Sequence, residues 1–163
     1  MMLTSLQKMV GLPVVWQDRQ MGYVERAVPS EGAKRLDGVV VRRGIGSAKW
    51  VPLQAIIMVG EQCMLISAKP ERMPDGNELT LSRAFLTTGY CVGEVTDVVL
   101  VGATLKPTAL EVSGGPLYRL MGHSGYAADY RVCGMGGGAH EVIVPKLISW
   151  AELKQRLGEE EPE

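Results

Sequence analysis

Met21-Gly22-Tyr23-Val24 returns as Val92-Gly93-Glu94-Val95, 71 positions later, and the match continues beyond the turn that follows. At this single offset Gly22, Val24, Val28, Val41 and Gly44 meet identical residues at Gly93, Val95, Val99, Val112 and Gly115. A repeat carried by valines and glycines points to two copies of one small β module. Valine suits the half-buried surface of a pleated sheet, and glycine suits tight turns and close backbone approaches. Twenty glycines and a single phenylalanine in 163 residues favour strands over long helices in the same way. Modules of about 70 residues are individually marginal, so the two copies are expected to pack their faces together.

Within the first copy, residues 1–68, short apolar runs are separated by turn signals. Gly11 to Trp16 reads as an edge strand or strand start, Met21 to Val28 and Leu36 to Val41 as a pair joined through Pro29-Ser30-Glu31-Gly32, and Ala48 to Leu53 as a strand ended by Pro52. Gln54 to Val59 is expected to make one helical turn, and Cys63-Met64-Leu65-Ile66 to close the module as a buried strand. Strands at this spacing suggest a small barrel or curled sheet. The series Gly11-Leu12-Pro13-Val14, Met21-Gly22-Tyr23-Val24, Leu36-Asp37-Gly38-Val39-Val40-Val41, Trp50-Val51-Pro52-Leu53 with Ile56, and Val59-Gly60-Glu61 resembles the PRC-barrel family. Relatives include the cytoplasmic domain of the photosynthetic reaction centre H subunit and the C-terminal domain of the ribosome maturation factor. The family pattern consists of glycines and apolar positions, so the resemblance implies a fold and a docking role but carries over no catalytic residue.

Residues 69–78, with Pro70, Pro74 and Gly76 among charges, read as the linker, and 79–148 as the second copy. There Leu79 to Leu86 is ambiguous between strand and short helix, while Gly93-Glu94-Val95-Thr96-Asp97 resembles the family's Gly-x-Val-x-Asp strand. The closing strand His140 to Pro145 falls about seven residues late, which places an insertion after Gly115. Ser149-Trp150-Ala151-Glu152 is a capping box that opens a helix over 149–158, with Trp150, Leu153 and Leu157 docking it and Gly158 ending it. Residues 159–163 read as a disordered acidic tail. The fold expected is therefore mainly β: two tandem small PRC-type barrels with a short C-terminal helix.

Candidate chemistry is sparse. Gly134-Met135-Gly136-Gly137-Gly138-Ala139 fits the letters of a dinucleotide fingerprint, but a second strand follows at once and leaves no room for the helix that would hold the pyrophosphate. A hairpin is expected instead. His123 and His140 have no ligand partners at a recognised spacing, and Ser124 is not set in a G-x-S-x-G elbow, so no catalytic residue, cofactor or metal is expected. Cys63, Cys91 and Cys133 form no Cys-x-x-Cys pair and are read as free thiols acting as small core hydrophobes in a reducing, bacterial-type cytoplasm. Lys8 is the one cation before Arg19, and no apolar segment is long enough to span a bilayer, so neither a signal peptide nor membrane insertion is expected.

The formal net charge of −1 provides no overall basic field, which disfavours nucleic acid as a partner. The candidate contact residues are the basic concentration Arg42, Arg43 and Lys49 with Trp50, and the tyrosines Tyr118, Tyr126 and Tyr130 of the glycine-rich insertion. The expected function is a non-enzymatic cytoplasmic adaptor that binds a protein partner, or a second copy of itself, through its barrel modules. Two other classes stand beside it. One is a ribosome or RNA-processing accessory factor, and the other a small-molecule sensor with a pocket between the barrels lined by His123, His140 and Cys133.

Overall fold

The computed structural model describes residues 2–114 and 124–160. In chain order the elements are β1 (Leu3–Ser5), α1 (Leu6–Met9), β2 (Pro13–Trp16), β3 (Arg19–Pro29), β4 (Leu36–Arg42), β5 (Lys49–Pro52), β6 (Ile56–Val59), β7 (Met64–Ile66), β8 (Glu71–Arg72), β9 (Leu79–Leu86), β10 (Cys91–Val101), β11 (Pro107–Ser113), β12 (Ser124–Ala127), β13 (Arg131–Val132), β14 (Gly138–Val144) and α2 (Trp150–Glu160). They form two curled half-barrel sheets and a short C-terminal helix. One sheet has the order β6-β7-β2-β3-β4-β5-β8 and the other β13-β14-β9-β10-β11-β12, with β1 added on β10.

Six strands of one sheet therefore answer six of the other in the same spatial order. The agreement extends to register. Val24 pairs with Val41 and Val28 with Gly38, while Val95 pairs with Val112 and Val99 with Ala109, each pair displaced by the same 71 positions. Both strand pairs also bulge at equivalent points, between Val24 and Arg26 in one and Val95 and Asp97 in the other. The parallel closing pairs match too. Val14 lies opposite Met64 and Phe85 opposite Ile143, so the closing strand is displaced by 79 positions where its neighbour is displaced by 71. The difference is the insertion that the late closing strand implied.

Gly22 and Gly93 explain why glycine recurs at this place. They sit at φ of +135° and +146°, and a Cβ would lie 2.7 Å from the Arg42 carbonyl oxygen in one case and 2.2 Å from that of Ser113 in the other. No side chain fits where the neighbouring strand passes this close.

The core runs continuously through both sheets. Val14, Val24, Val39 and Val51 of the first belong to the same buried cluster as Leu100, Leu110, Val112 and Val142 of the second. The N-terminus straps the two together. β1 pairs with β10, α1 buries Met9, and the Asp97 carboxylate accepts from the Gln7 backbone amide at 3.1 Å. The first residues of the segment read as the first copy thus hydrogen-bond into the second sheet.

Several local expectations change. Leu79 to Leu86 is a strand. Residues 53–55 form a 3-10 turn, but Ile56–Val59 continues as strand β6, because β-branched isoleucines suit a sheet edge and β7 supplies the hydrogen bonds. At the start of helix α2 one half of the expected capping box forms, the Glu152 amide donating to the Ser149 hydroxyl at 3.2 Å. Leu153 and Leu157 are buried against Val99, Ala109 and Ile148. Gly158 does not end the helix, which runs to Glu160. An exposed helical glycine costs only about 1 kcal/mol, less than is needed to force a stop. The cysteines are not core residues: Cys91 is exposed at the start of β10, and Cys63 and Cys133 are half-buried.

Candidate interaction surface

The hairpin joining β4 to β5 places Val41 opposite Lys49 and leaves residues 43–48 as its tip. The Arg42 guanidinium turns back to the Gly46 carbonyl at 2.9 Å and to the Glu25 carboxylate at 2.6 Å. That hydrogen bond holds the Glu25 carboxyl below the ordinary carboxylate range. Arg42 is therefore neutralised by its own sheet. Arg26 and Arg83 are likewise paired, with Glu78 and Glu141, each at 2.6 Å.

Arg43, Lys49 and Arg72 differ. None of the three makes an ion pair or a side-chain hydrogen bond among the described residues. Lys49 lies directly opposite Arg72 across the antiparallel β5–β8 pair. Like charges in that position are destabilising, and no ion pair among the described residues offsets them. At the tip, between Gly44 and Gly46, Ile45 is fully exposed at 107% of its reference surface. The surface thus combines uncompensated cations with one apolar residue held out into solvent. Arg72, which lies in the stretch read as linker, and Ile45 were not among the candidates named from the sequence. The signal available for Ile45 was an apolar residue between two turn glycines, whereas the Lys49–Arg72 register has no local signature.

Trp50 does not join this surface. Adjacent residues on a strand point to opposite faces. Trp50 packs with Val28, Val40 and Met73 on the face away from Lys49, where it is 9% exposed.

Of the tyrosines, Tyr118 lies outside the described residues. Tyr126 packs against Trp150 with ring centroids 5.0 Å apart and planes tilted by 49°, and directs its hydroxyl to Glu111 at 3.4 Å. Tyr126 and Ile148 also exchange backbone hydrogen bonds, so this tyrosine fastens α2 to β12. Tyr130 is buried between the sheets. Its hydroxyl donates to the Ala33 carbonyl at 2.5 Å, and the Lys34 ammonium lies 3.5 Å from its ring centre while donating to its backbone carbonyl. Burial pushes the Tyr130 phenol up to about 12 and lowers the Lys34 pKa. Both placements tie the insertion to the fold rather than presenting it to a partner.

The glycine-rich hairpin lies between β13 and β14 with no helix following it. Its glycines have a packing reason. A Cβ on Gly137 would meet the Asn77 carbonyl oxygen at 1.9 Å, and the Gly138 amide donates to the Glu78 carbonyl at 2.9 Å. The hairpin is thus seated against residues 77–78. His140 approaches the Gly137 carbonyl at 3.1 Å, while His123 lies outside the described residues. Among the described residues, no three histidine, cysteine, aspartate or glutamate side chains are grouped as a metal site requires. No helix among them is long and apolar enough to cross a membrane. No family model matches the chain, and no curated protein matches it in sequence.

Proposed function

We propose that this chain is a non-enzymatic docking protein of the cytoplasm, built from two PRC-type barrel modules, whose β4–β5 hairpin and β8 edge take an acidic segment of a protein partner. The observation that carries this reading is the direct opposition of Lys49 and Arg72, with Arg43 at the tip of the hairpin that β5 closes and no ion pair at any of the three among the described residues. A fold that holds like charges opposite each other gives up stability, which an anionic ligand restores on binding. Ile45 adds an apolar contact at the hairpin tip, so a protein segment that mixes acidic and apolar residues suits the surface better than a bare phosphate backbone. The formal net charge of −1 supports the same preference.

The test is capture from cells in which the protein is native, comparing the wild-type chain with Lys49→Glu/Arg72→Glu after nuclease treatment. A protein held by the wild type, released by raised salt and lost by the charge-reversed variant supports the reading. A partner that disappears on nuclease treatment points instead to an RNA accessory role, and equal capture by both chains rules this surface out.

A further inference from the structure

Glu159, Glu160, Glu161 and Glu163 place four of the chain's 18 acidic residues within five positions, the densest run of either charge in the sequence. Helix α2 carries the first two at its C-terminal end, and its last turn holds no basic residue. That end is the negative pole of the helix, where acidic residues are unfavourable. Residues 161–163 lie outside the described residues. The chain thus holds two unbalanced groups of charge of opposite sign, this acidic run and the basic surface of Arg43, Lys49 and Arg72.

Several acids elsewhere in the fold are already committed. Glu25, Glu78 and Glu141 are engaged by Arg42, Arg26 and Arg83. The Asp97 carboxylate accepts from the Gln7 amide and that of Glu111 from the Thr96 hydroxyl. Glu71, next to Arg72 in the chain, lies opposite Trp50 and so faces the other side of the β5–β8 pair.

Topology separates the acidic run from the basic pair of its own chain. Trp50 and Met73, beside that pair, share a cavity wall with Gly136 and Gly137 of the hairpin between β13 and β14. Helix α2 is fastened instead at β12, the opposite end of the same sheet, by the Tyr126–Trp150 contact and the hydrogen bonds between Tyr126 and Ile148. From β14 to β12 there are four strand spacings, about 19 Å along the sheet.

We propose that residues 159–163 of one copy occupy the Arg43, Lys49 and Arg72 surface of a second copy, so that the protein guards its docking surface by weak self-association. The inference rests on the docking reading above and adds what competes for that surface. Carboxylates set among these cations relieve the Lys49–Arg72 opposition and offset the charge at the end of α2. Exposed ion pairs contribute little each and are screened by salt, so the contact is weak. Apart from Pro162, the run has no apolar residue to cover Ile45. A partner segment that adds an apolar contact therefore displaces it.

The experiment mixes two full-length chains. The acceptor is isotope-labelled Glu159→Gln/Glu160→Gln/Glu161→Gln/Glu163→Gln, whose own run carries no charge and whose amide NMR spectrum verifies its fold. Unlabelled wild-type chain is the donor. It is expected to shift the Arg43, Lys49 and Arg72 amides of the acceptor saturably, with the shifts lost at raised salt. Unlabelled glutamine variant used as donor produces none. The absence of shifts with the wild-type donor, or equal shifts with the glutamine donor, would overturn the proposal. So would a labelled wild-type chain whose three amides differ from those of the variant by the same amount at every dilution, because that occupancy lies within one chain. A short glutamate-rich peptide carrying one leucine separates the two readings. If the peptide shifts these amides of the acceptor where the wild-type donor does not, self-occupancy fails and the docking surface stands. If neither shifts them, the docking reading fails as well.

Discussion

Lys49 and Arg72 face each other across the β5–β8 pair, two cations in direct register on adjacent antiparallel strands. Replacing one of them by an acid converts repulsion into attraction. Arg72→Glu is therefore expected to stabilise the fold by about 0.2–1 kcal/mol, read as a raised urea midpoint with unchanged slope, while weakening capture of the partner. A variant that loses stability would mean that the pair is already compensated, and the functional reading would lose its main support.

Tyr130 links the sheets through Ala33 and gives the fold an alkaline limit. Its ordinary pKa of 10 in an unfolded chain is raised to about 12 by burial. Between those values the unfolded chain has lost the phenolic proton and the native chain retains it. This contribution to stability is complete below pH 10 and is lost as pH rises towards 12. Tyr130→Phe is expected to cost about 0.5–1.5 kcal/mol at neutral pH through the lost hydrogen bond, and to flatten the decline of stability over that alkaline window. An unchanged decline would assign it to other groups.

The repeat makes a symmetric prediction. Gly22→Ala and Gly93→Ala both place a Cβ against a neighbouring carbonyl at positive φ, and Gly93 has the closer approach. Each should cost more than the roughly 1–3 kcal/mol of backbone strain alone, with Gly93→Ala the worse. Gly158→Ala, in the exposed α2 with nothing within 4 Å of the added carbon, should instead stabilise by about 0.5–1 kcal/mol. Thermal melts of the three variants order them, and a harmless Gly93→Ala would contradict the close strand approach.

The sequence repeat made the scaffold legible because the same two constraints operate twice. Core valines at Val24, Val41, Val95 and Val112 fix which face turns inward, and Gly22 and Gly93 fix where strands touch. Topology between distant segments was not legible. Nothing local indicates that Leu3–Ser5 joins the second sheet, or that Tyr130 crosses to Ala33, since both depend on how the two sheets pack. The helical turn expected over Gln54 to Val59 is present only at residues 53–55, because a short apolar run such as Ile56 to Val59 has no period to distinguish strand from helix, and pairing with β7 decides it. For the candidate surface, Arg43 and Lys49 were visible as charge, but their lack of partners, the arrival of Arg72 and the departure of Trp50 to the opposite face arise only from register.

The most direct test of the docking surface is NMR titration of the full chain with a short glutamate-rich peptide carrying one leucine. Shifts confined to Arg43, Ile45, Lys49 and Arg72, abolished by raised salt and absent in Lys49→Glu/Arg72→Glu, are the predicted result. Shifts spread over the paired arginines Arg26, Arg42 and Arg83 as strongly as over these four, or no shifts at all, would contradict it.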